Sequence, residues 1–341
     1  MKPKIAIMFL LILCLLPTQD IFAVEDKDIL YPTIGKAEEV IAEEAVKKEI
    51  EGFEYGLSAS TVLGYDTNVH LEHYDHASSF FFQNALGANS SSQLFPLCTL
   101  RLSYDITSIK YFRFSEPDLL DNILGAGLDT QVTDNLMLSL DYTLDFVDFP
   151  HDKASEYTMN ELSVGFKHDI TDSLYHKIAY TYSHKDYTKW KTRNDNGTVF
   201  VGDREDRRNT LQHTLGWYMS DRTYLQAENT LYSNNSNDMF LDFYDFRAFK
   251  TKGTLLHLIT DSLYTLANVG YQYRAFRNRV VSDRDRGDQR DKLLMLGTSL
   301  FYDLKPGLSV GLNLDYSKNF SNEGDERYQD FIVSSGLYWN Y

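Results

Sequence analysis

Three histidines recur at every third position in one polar stretch of the sequence. They are His70, His73 and His76, and Glu72 and Asp75 lie among them. Imidazole and carboxylate groups bind zinc or copper, so this composition would suit a divalent transition metal. On a strand, however, the middle histidine would point away from the other two, because successive side chains alternate between faces. We therefore interpret the stretch as a solvated loop and predict neither a metal site nor a cofactor.

Histidine also neighbours an acidic or hydroxyl residue elsewhere in the chain. Examples are His151 beside Asp152 and His213 beside Thr214. Hydrolysis needs a nucleophile, a base that activates it and a group that orients the base, all within hydrogen-bond reach. The sequence assigns no third partner to either pair. We predict that the chain is not an enzyme.

Two segments alternate Asp with Arg, at residues 202–208 and 282–292. Opposite charges at this spacing neutralise one another, and exposed ion pairs add little stability. We interpret both segments as solvated, ion-paired loops. The alternative is that they narrow an opening or bind lipid phosphates through arginine.

The chain as a whole is acidic. Its 341 residues include 49 Asp and Glu against 33 Lys and Arg, and the formal net charge is -16 at pH 7. This balance argues against nucleic acid as a partner, because phosphate contacts are supplied by Lys and Arg. The two cysteines are Cys14 and Cys98. Since Cys14 lies in a predicted signal peptide, we expect no intramolecular disulfide.

The first residues are typical of a secretory signal peptide. Two lysines precede an apolar run over residues 5–16, and Ala23 ends an acceptable cleavage site. The apolar run is shorter than the roughly 20 residues that a transmembrane helix needs. We assign 1–23 to the signal peptide and 24–51 to a short periplasmic segment with helical apolar spacing.

From residue 52 onward, apolar and polar residues alternate with a period of two. The pattern is clear at 136–146 and 308–316, where Leu, Val, Tyr or Phe mostly alternates with small or polar residues. Such alternation predicts strands with one apolar and one polar face. The polar face would line a hydrated lumen in a membrane or contact solvent in water, and alternation alone does not distinguish the two.

The connections between these runs are alternately short and long. Short turns at 133–135 and 260–262 contrast with longer polar stretches at 188–207 and 279–290. Tight turns at one end and long loops at the other are the topology of an outer-membrane barrel. We predict an all-β, antiparallel up-and-down transmembrane barrel over residues 52–341.

Fourteen strands fit the positions of the turns. The segment 97–114 keeps one parity of apolar residues, which favours a single strand there. A turn at 105–108 would change the count, so twelve or sixteen strands stay open. An even number places both ends of the barrel on the periplasmic side.

The charged residues on the polar faces of the predicted strands are assigned to the lumen. They are Glu54, Asp66, Arg101, Asp141, Asp145, Glu161, Lys167, Glu228, Arg274 and Asp315. Acidic groups outnumber basic ones among them, so the lumen would favour cations. A barrel of about fourteen strands is wide enough for an aqueous path unless loops or the N-terminal segment fill it.

The last predicted strand has a distinctive end. Its Ser334, Gly336, Trp339 and Tyr341 have a spacing that resembles the C-terminal insertion signal of bacterial outer-membrane barrels. That resemblance implies recognition by the barrel-assembly machinery and pairing with the first strand. The alternative is an edge strand of a soluble β protein.

The first predicted strand ends in a second motif. Residues 64–69 read Gly-Tyr-Asp-Thr-Asn-Val. They resemble the Gly-Tyr-Asp-x-Asn-Val ending of the first strand in a family of porin-like outer-membrane β-barrel proteins. That family includes barrels encoded in exopolysaccharide loci and the barrel of surface lipoprotein assembly modifiers. The modifiers also carry tetratricopeptide-type repeats of about 34 residues, and 24–51 is shorter than one repeat, so the resemblance implies the barrel rather than the modifier function.

Together these observations predict an integral protein of a Gram-negative outer membrane. We expect a barrel of porin or transport type, with passive or solute-specific passage through a mildly cation-preferring lumen and a link to polysaccharide export. Expected contacts are outer-membrane lipid and lipopolysaccharide, and a periplasmic partner for 24–51. The alternatives are a non-conducting barrel that anchors or assembles envelope components, and a hydrolase with its site at the outer rim.

Overall fold

The computed structural model describes residues 53–73, 76–194, 196–240, 242–282 and 287–341. The predicted signal peptide at 1–23 and the predicted periplasmic segment at 24–51 lie outside these residues. Within the described residues, no helix has the length and apolar character needed to cross a membrane.

The alternating sequence folds into fourteen strands. They are β1 (Phe53–Asp66), β2 (Ser79–Phe95), β3 (Cys98–Tyr111), β4 (Leu119–Thr133), β5 (Leu136–Asp148), β6 (Tyr157–Thr171), β7 (Leu174–Arg193), β8 (Val199–Ser220), β9 (Thr223–Ser236), β10 (Phe246–Leu258), β11 (Leu263–Val280), β12 (Asp288–Lys305), β13 (Leu308–Ser321) and β14 (Tyr328–Asn340). Each strand pairs with its neighbours in chain order, and the sheet closes on itself. The predicted all-β up-and-down barrel and its fourteen strands are confirmed, and 97–114 contains one strand.

The barrel closes because β1 pairs antiparallel with β14. In this pair Val62 lies opposite Gly336, and the main chains of Leu57 and Tyr341 exchange hydrogen bonds of 2.9 and 2.8 Å. The approach requires glycine at 336, since a Cβ there would lie 2.7 Å from the carbonyl oxygen of Thr61. Closure removes both edges of the sheet, so none of the fourteen strands described here is left without a partner.

Side chains alternate between the inside and the outside of the barrel. On β1, Val62 and Gly64 are buried inside, whereas Leu57 and Leu63 are 43% and 51% exposed outside. Exposed leucines continue this outer apolar surface around the barrel, among them Leu86, Leu102, Leu124, Leu140, Leu162, Leu211, Leu231, Leu296, Leu312 and Leu337. Soluble monomers rarely expose so large an apolar surface, whereas lipid-facing strands require one.

Aromatic side chains border the apolar surface at both ends of the strands. Phe80 and Phe331 are exposed near one end, and Phe95 and Trp339 are exposed near the other. The indole of Trp339 stacks on the ring of Tyr341, with centroids 6.0 Å apart. Amphipathic and aromatic rings are enriched at membrane interfaces, so these two belts mark the limits of a lipid-facing band.

The connections at the two ends of the barrel differ in length. At one end the turns at 134–135, 172–173 and 306–307 span two residues each, whereas at the other end the loops at 67–78 and 237–245 are long. We call these the turn end and the loop end. In outer-membrane barrels short turns face the periplasm and long loops face the exterior.

Candidate functional site

The candidate site is the interior of the barrel. Cross-strand register places every residue predicted to line the lumen on the inner face: Glu54, Asp66, Arg101, Asp141, Asp145, Glu161, Lys167, Glu228, Arg274 and Asp315. Asp66, Asp145 and Arg274 are buried, and the others are half-buried or exposed. The inner face therefore carries many charged groups, and part of it is solvent-accessible.

One side of the interior is acidic. This acidic wall is the inner face of β12 to β14 and β1 to β6. Besides the predicted residues, it carries Asp105, Asp121, Asp129, Asp169, Asp291, Asp303 and Asp330. Its two basic residues are Arg101 and Lys167, and both are among the predicted lumen residues.

The opposite side of the interior is basic. This basic wall is the inner face of β7 to β11. It carries Lys177, Lys185, Arg204, Arg208, Lys250, Lys252 and Arg274. Only Arg274 among these was predicted. Glu228 and Asp206 are the acidic residues on the same inner face.

Two opposed walls of unlike charge create an electric field across the lumen. Such a field acts on any charged or dipolar solute, because low-dielectric walls focus it into the aqueous space. The two walls differ in how far their charges are compensated. On the basic wall, the Lys185 ammonium lies 3.6 Å from the ring centroid of Tyr157, and the lysine is only 5% exposed. A buried cation of this kind contributes less to the electrostatic potential at the solvent-accessible inner surface than an exposed carboxylate does.

The arginine of the acidic wall is also compensated. Arg101 Nε donates to Asp129 Oδ2 at 2.6 Å, and Arg101 Nη2 donates to Asp141 Oδ1 at 2.7 Å. Lys167 Nζ lies 2.9 Å from Asp169 Oδ1. Both cations are thus paired with carboxylates of the same wall. The wall keeps a net negative charge, which includes the exposed Asp105.

An aromatic and arginine cluster covers the basic wall near the loop end. At its centre, Arg204 is 3% exposed and donates to Asp206 Oδ1 at 3.0 Å. Its guanidinium carbon lies 3.5 Å from the ring centroid of Tyr244, 4.5 Å from that of Tyr187 and 5.1 Å from that of Trp190. Each ring face stabilises the cation, so Arg204 joins two hairpins through stacking as well as through its ion pair.

The prediction that 202–208 is a solvated, ion-paired loop is therefore wrong for its central residues. The segment belongs to β8, and the side chains of Arg204 and Asp206 are each 4% exposed. Aromatic residues from distant parts of the chain exclude water from them. The ion pair itself was predicted correctly, but its burial was not.

The loop at 237–245 is fastened to the neighbouring hairpin. Asp238 accepts hydrogen bonds from the Arg193 main-chain N at 3.1 Å and from its Nε at 3.0 Å, and the Asp238 side chain is fully buried. At the other end of the loop, Asp245 accepts from the Ser236 main-chain N at 2.8 Å. Burial raises the pKa of Asp245 above its usual value. These contacts hold Tyr244, which precedes Asp245, against Arg204.

The loop between β5 and β6 is fastened by charge. Glu156 accepts from Lys189 Nζ at 2.8 Å and also pairs with Lys153. Hydrogen bonds with Asp148, Lys153 and Lys189 lower the pKa of Glu156 to about 2. A carboxylate with a lowered pKa stays ionised in mild acid, so this loop keeps its anchor there.

The motif at 64–69 lies where the barrel closes, at the loop end of β1. Gly64 leaves room for Phe81, whose Cζ would lie 2.2 Å from a Cβ at 64. Asp66 Oδ1 accepts from the Asn68 main-chain N at 2.8 Å, and Asp66 Oδ2 accepts from Tyr111 OH at 3.1 Å. Thr67 Oγ1 donates to Asp330 Oδ1 at 2.9 Å. The motif thus connects β1 to β3 and to β14.

Asn68 completes this junction, and its side chain is wholly buried. Its Nδ2 donates to the carbonyl oxygens of Glu72 at 2.9 Å and Gln329 at 3.0 Å, and its Oδ1 accepts from the Glu72 main-chain N at 3.1 Å. A single amide therefore ties the first loop to both strands of the closing pair.

Asn68→Ala is expected to destabilise the barrel by about 1 to 3 kcal/mol, because three main-chain groups lose their hydrogen bonds to this buried amide. The measurement is urea-induced unfolding of the refolded protein in lipid vesicles. Asn196→Ala, at an exposed position in the β7–β8 connection, is the control and is expected to change stability by less than about 0.5 kcal/mol. Equal stability of both variants would contradict the role given to Asn68.

The histidines singled out in the sequence do not converge. His70 packs on the ring of Phe114, with centroids 4.9 Å apart, and His76 Nε2 lies 3.2 Å from the His73 carbonyl oxygen. His213 points outwards, whereas Thr214 points inwards. Within the part of the chain that the structure describes, no group of three His, Cys, Asp or Glu side chains is placed to hold a metal ion.

The insertion-signal residues lie on both faces of β14. Ser334 and Gly336 are inside, and Ser334 Oγ accepts from Asn313 Nδ2 at 3.2 Å. Trp339 and Tyr341 are outside and are 40% and 46% exposed at the turn end. Recognition of these residues by an assembly machinery stays a prediction.

Comparisons with known proteins give structural similarity only. No family model matches the chain, and no curated protein matches it in sequence. The in-vitro folded OmpT, an outer-membrane protein of Vibrio cholerae, is 11% identical with a TM-score of 0.47, over 87% of this chain and 100% of that one. The outer-membrane channel DcaP of Acinetobacter baumannii is 8% identical with a TM-score of 0.49, over 87% and 100%. The NanC porin is 12% identical with a TM-score of 0.42, over 82% and 98%.

Proposed function

We propose that the protein is an outer-membrane channel of porin or transport type, with a mildly cation-preferring lumen. The observation that supports it is the polar, charge-divided interior of a closed barrel whose outside is apolar. Water and ions pass through such an interior, whereas the apolar outside requires lipid. The link to polysaccharide export rests on the sequence resemblance at 64–69, and this site adds nothing to it.

The sign of the selectivity follows from which charges meet water. Arg101 and Lys167 are paired with carboxylates, and Lys185 and Arg204 are buried against aromatic rings. Asp105 is exposed on the inner face of β3. The half-buried Lys250 and Lys252 oppose this charge, but inner-facing carboxylates outnumber inner-facing cations. A solute in the lumen therefore meets more negative than positive potential, which raises the local concentration of cations.

Refolded protein in a planar bilayer is expected to conduct, and under a KCl gradient its reversal potential is expected to have the sign of potassium preference. The preference arises from fixed charge, so it should fall in 1 M salt, where the Debye length is only about 3 Å. A reversal potential of zero at low salt, or one of the anion sign, would contradict the charge assignment.

A non-conducting barrel that anchors or assembles envelope components is the second candidate. The observation that favours it is the burial of large inner side chains, since Phe81, Gln272 and Phe301 are 1%, 2% and 2% exposed. The protein can be shown to be folded by its heat-modifiable migration on a gel. If the folded protein then does not conduct in the bilayer, that result would support this second function over the first.

A further inference from the structure

The outward positions of the strands differ sharply in charge from the interior. Along β10 to β13, near the loop end, the outward positions carry Arg247, Arg290, Lys292 and Lys318. We call these four residues the outer basic patch. The nearest carboxylate along β12 with the same parity is Asp288, two residues beyond Arg290 towards the loops. The patch is therefore positively charged, although the net charge of the chain is negative.

The four residues are neighbours across the sheet. Arg247 and Arg290 both lie opposite Ala275, so they are separated by two strand spacings, or about 10 Å. Lys292 follows Arg290 two residues along β12, about 7 Å away. On β13, Phe320 lies directly opposite Lys292. Lys318 lies two residues from Phe320 and so is diagonally across from Lys292. Four cationic side chains thus face one area of the outer surface.

The patch lies at the height of an aromatic belt. Lys292 is placed between Tyr273 and Phe320 in register, and its Nζ is 6.0 Å from the Tyr273 ring centroid. Lys318 Nζ is 5.2 Å from the Phe320 ring centroid. Aromatic belts lie at the level of lipid headgroups. Long cationic side chains there extend their charge into the headgroup layer while their stems stay on apolar surface.

We infer that the outer basic patch binds the phosphorylated headgroup of an outer-leaflet glycolipid, of the lipid A type that anchors lipopolysaccharide. Guanidinium and ammonium groups are the partners of phosphate, and the two arginines present forked donors that bind phosphate oxygens in pairs. The ligand must carry more than one phosphate to meet cations about 10 Å apart. Phosphates of the outer leaflet lie at the height where the patch lies.

The acidity of the whole chain makes such a site useful. With a formal net charge of -16, the protein as a whole is repelled by an anionic leaflet. Repulsion from distant carboxylates is screened beyond about 8 to 10 Å in physiological salt. A local cluster of cations therefore dominates the contact with lipid on this side. The inference rests on the proposed outer-membrane location and does not depend on conduction.

The test is retention of lipid by the refolded full chain, measured by native mass spectrometry after incubation with phosphatidylcholine vesicles that contain lipid A. The patch variant is Arg247→Gln/Arg290→Gln/Lys292→Gln/Lys318→Gln. The control variant is Lys110→Gln/Arg207→Gln, which removes outward cations at the same end of the barrel but outside the patch. We expect the patch variant to bind lipid A about tenfold or more weakly and the control to bind as the parent does.

Parallel arms identify the ligand. One arm uses vesicles with phosphatidylglycerol in place of lipid A, and another uses inorganic pyrophosphate alone. The parent protein is expected to retain each of these ligands less than it retains lipid A, and each is expected to stabilise the parent less against heat. Equal binding by parent and patch variant, with both folded by gel migration, would overturn the inference. The inference would also be overturned if phosphatidylglycerol or pyrophosphate bound the parent as tightly as lipid A does. A patch variant in which only self-association changes would overturn it too. Conductance of the patch variant reports separately on the channel, so loss of one function leaves the other measurable.

Discussion

Replacing three carboxylates of the acidic wall by amides is expected to reduce the potassium preference of the channel by about threefold, because fixed potentials of this kind set local ion concentrations. The variant is Asp105→Asn/Glu161→Gln/Asp315→Asn. These residues lie on the inner face in the middle of β3, β6 and β13, so they act on the same part of the ion path. The amides keep the shape of the side chains and remove only charge.

The basic wall supplies the reciprocal experiment. Lys250→Gln/Lys252→Gln removes two half-buried cations from the inner face of β10. We expect potassium preference to rise in this variant, since the field of the acidic wall is then less opposed. A shift in the same direction for both variants would show that the change follows from altered structure and not from charge.

The matched control removes the same charge outside the lumen. Asp134→Asn/Asp172→Asn/Asp221→Asn neutralises three carboxylates in turns at the turn end. Its net charge changes by the same amount as in the acidic-wall variant, yet the middle of the ion path is untouched. An unchanged reversal potential in the acidic-wall variant, or an equal shift in the control, would contradict the assigned role of the wall.

Strict alternation explains why part of the acidic wall could be assigned to the inner face from the sequence. In β5, Asp141 and Asp145 alternate with Leu140, Leu144 and Phe146, so parity alone places the carboxylates inside. The outer apolar residues must face lipid once the sheet closes, and the parity then holds for the whole strand. The turns supplied the strand number independently. Fold class and these inner-face positions therefore follow from local pattern.

The basic wall could not be predicted in the same way, because near the loop end apolar residues face inwards and charged residues face outwards. In β10, Phe246 and Ala248 face inwards, and Arg247 faces outwards. An apolar residue inside and a cation outside reverse the rule that applies in the middle of the barrel. Only the register with β9 and β11 shows that Lys250 and Lys252 face the lumen.

The cluster around Arg204 was not predictable for a different reason. Its ring partners come from β7 and from the loop before β10, so the contacts join segments that are distant in sequence. Alternating Asp and Arg in 202–208 has the same local pattern whether it is solvated or covered. The local sequence does not indicate that Tyr187, Trp190 and Tyr244 pack against Arg204.

Arg204→Ala is expected to destabilise the loop end of β7 and β8 by about 3 to 5 kcal/mol, because it removes the guanidinium that pairs with the buried Asp206 carboxylate. The aromatic rings around Arg204 would also lose the cation on which they stack. The strands deeper in the barrel keep their ladders, so the effect should be confined to the outer part of this hairpin.

Limited trypsin digestion of the refolded protein measures this local loss. Lys189, Lys191 and Arg193 provide cleavage sites in the outer part of β7, and we expect them to be cut in the variant and protected in the parent. Arg207→Ala is the matched control on the same strand, because the Arg207 side chain is 60% exposed and pairs with Glu205 at the surface. It is expected to remain protected, since exposed ion pairs contribute little.

A double substitution separates the loss of the ion pair from the exposure of a lone charge. In Arg204→Met/Asp206→Leu both charged groups give way to apolar ones of similar length, and replacement of a buried pair in this way is often neutral or stabilising. We expect protection from trypsin to return in this variant, although the stacking on Tyr244 is gone. If the double variant is cut as readily as Arg204→Ala, stacking of the cation holds the hairpin rather than its pairing with Asp206. If neither variant is cut, the cluster does not hold the hairpin, and its aromatic residues pack without help from the arginine.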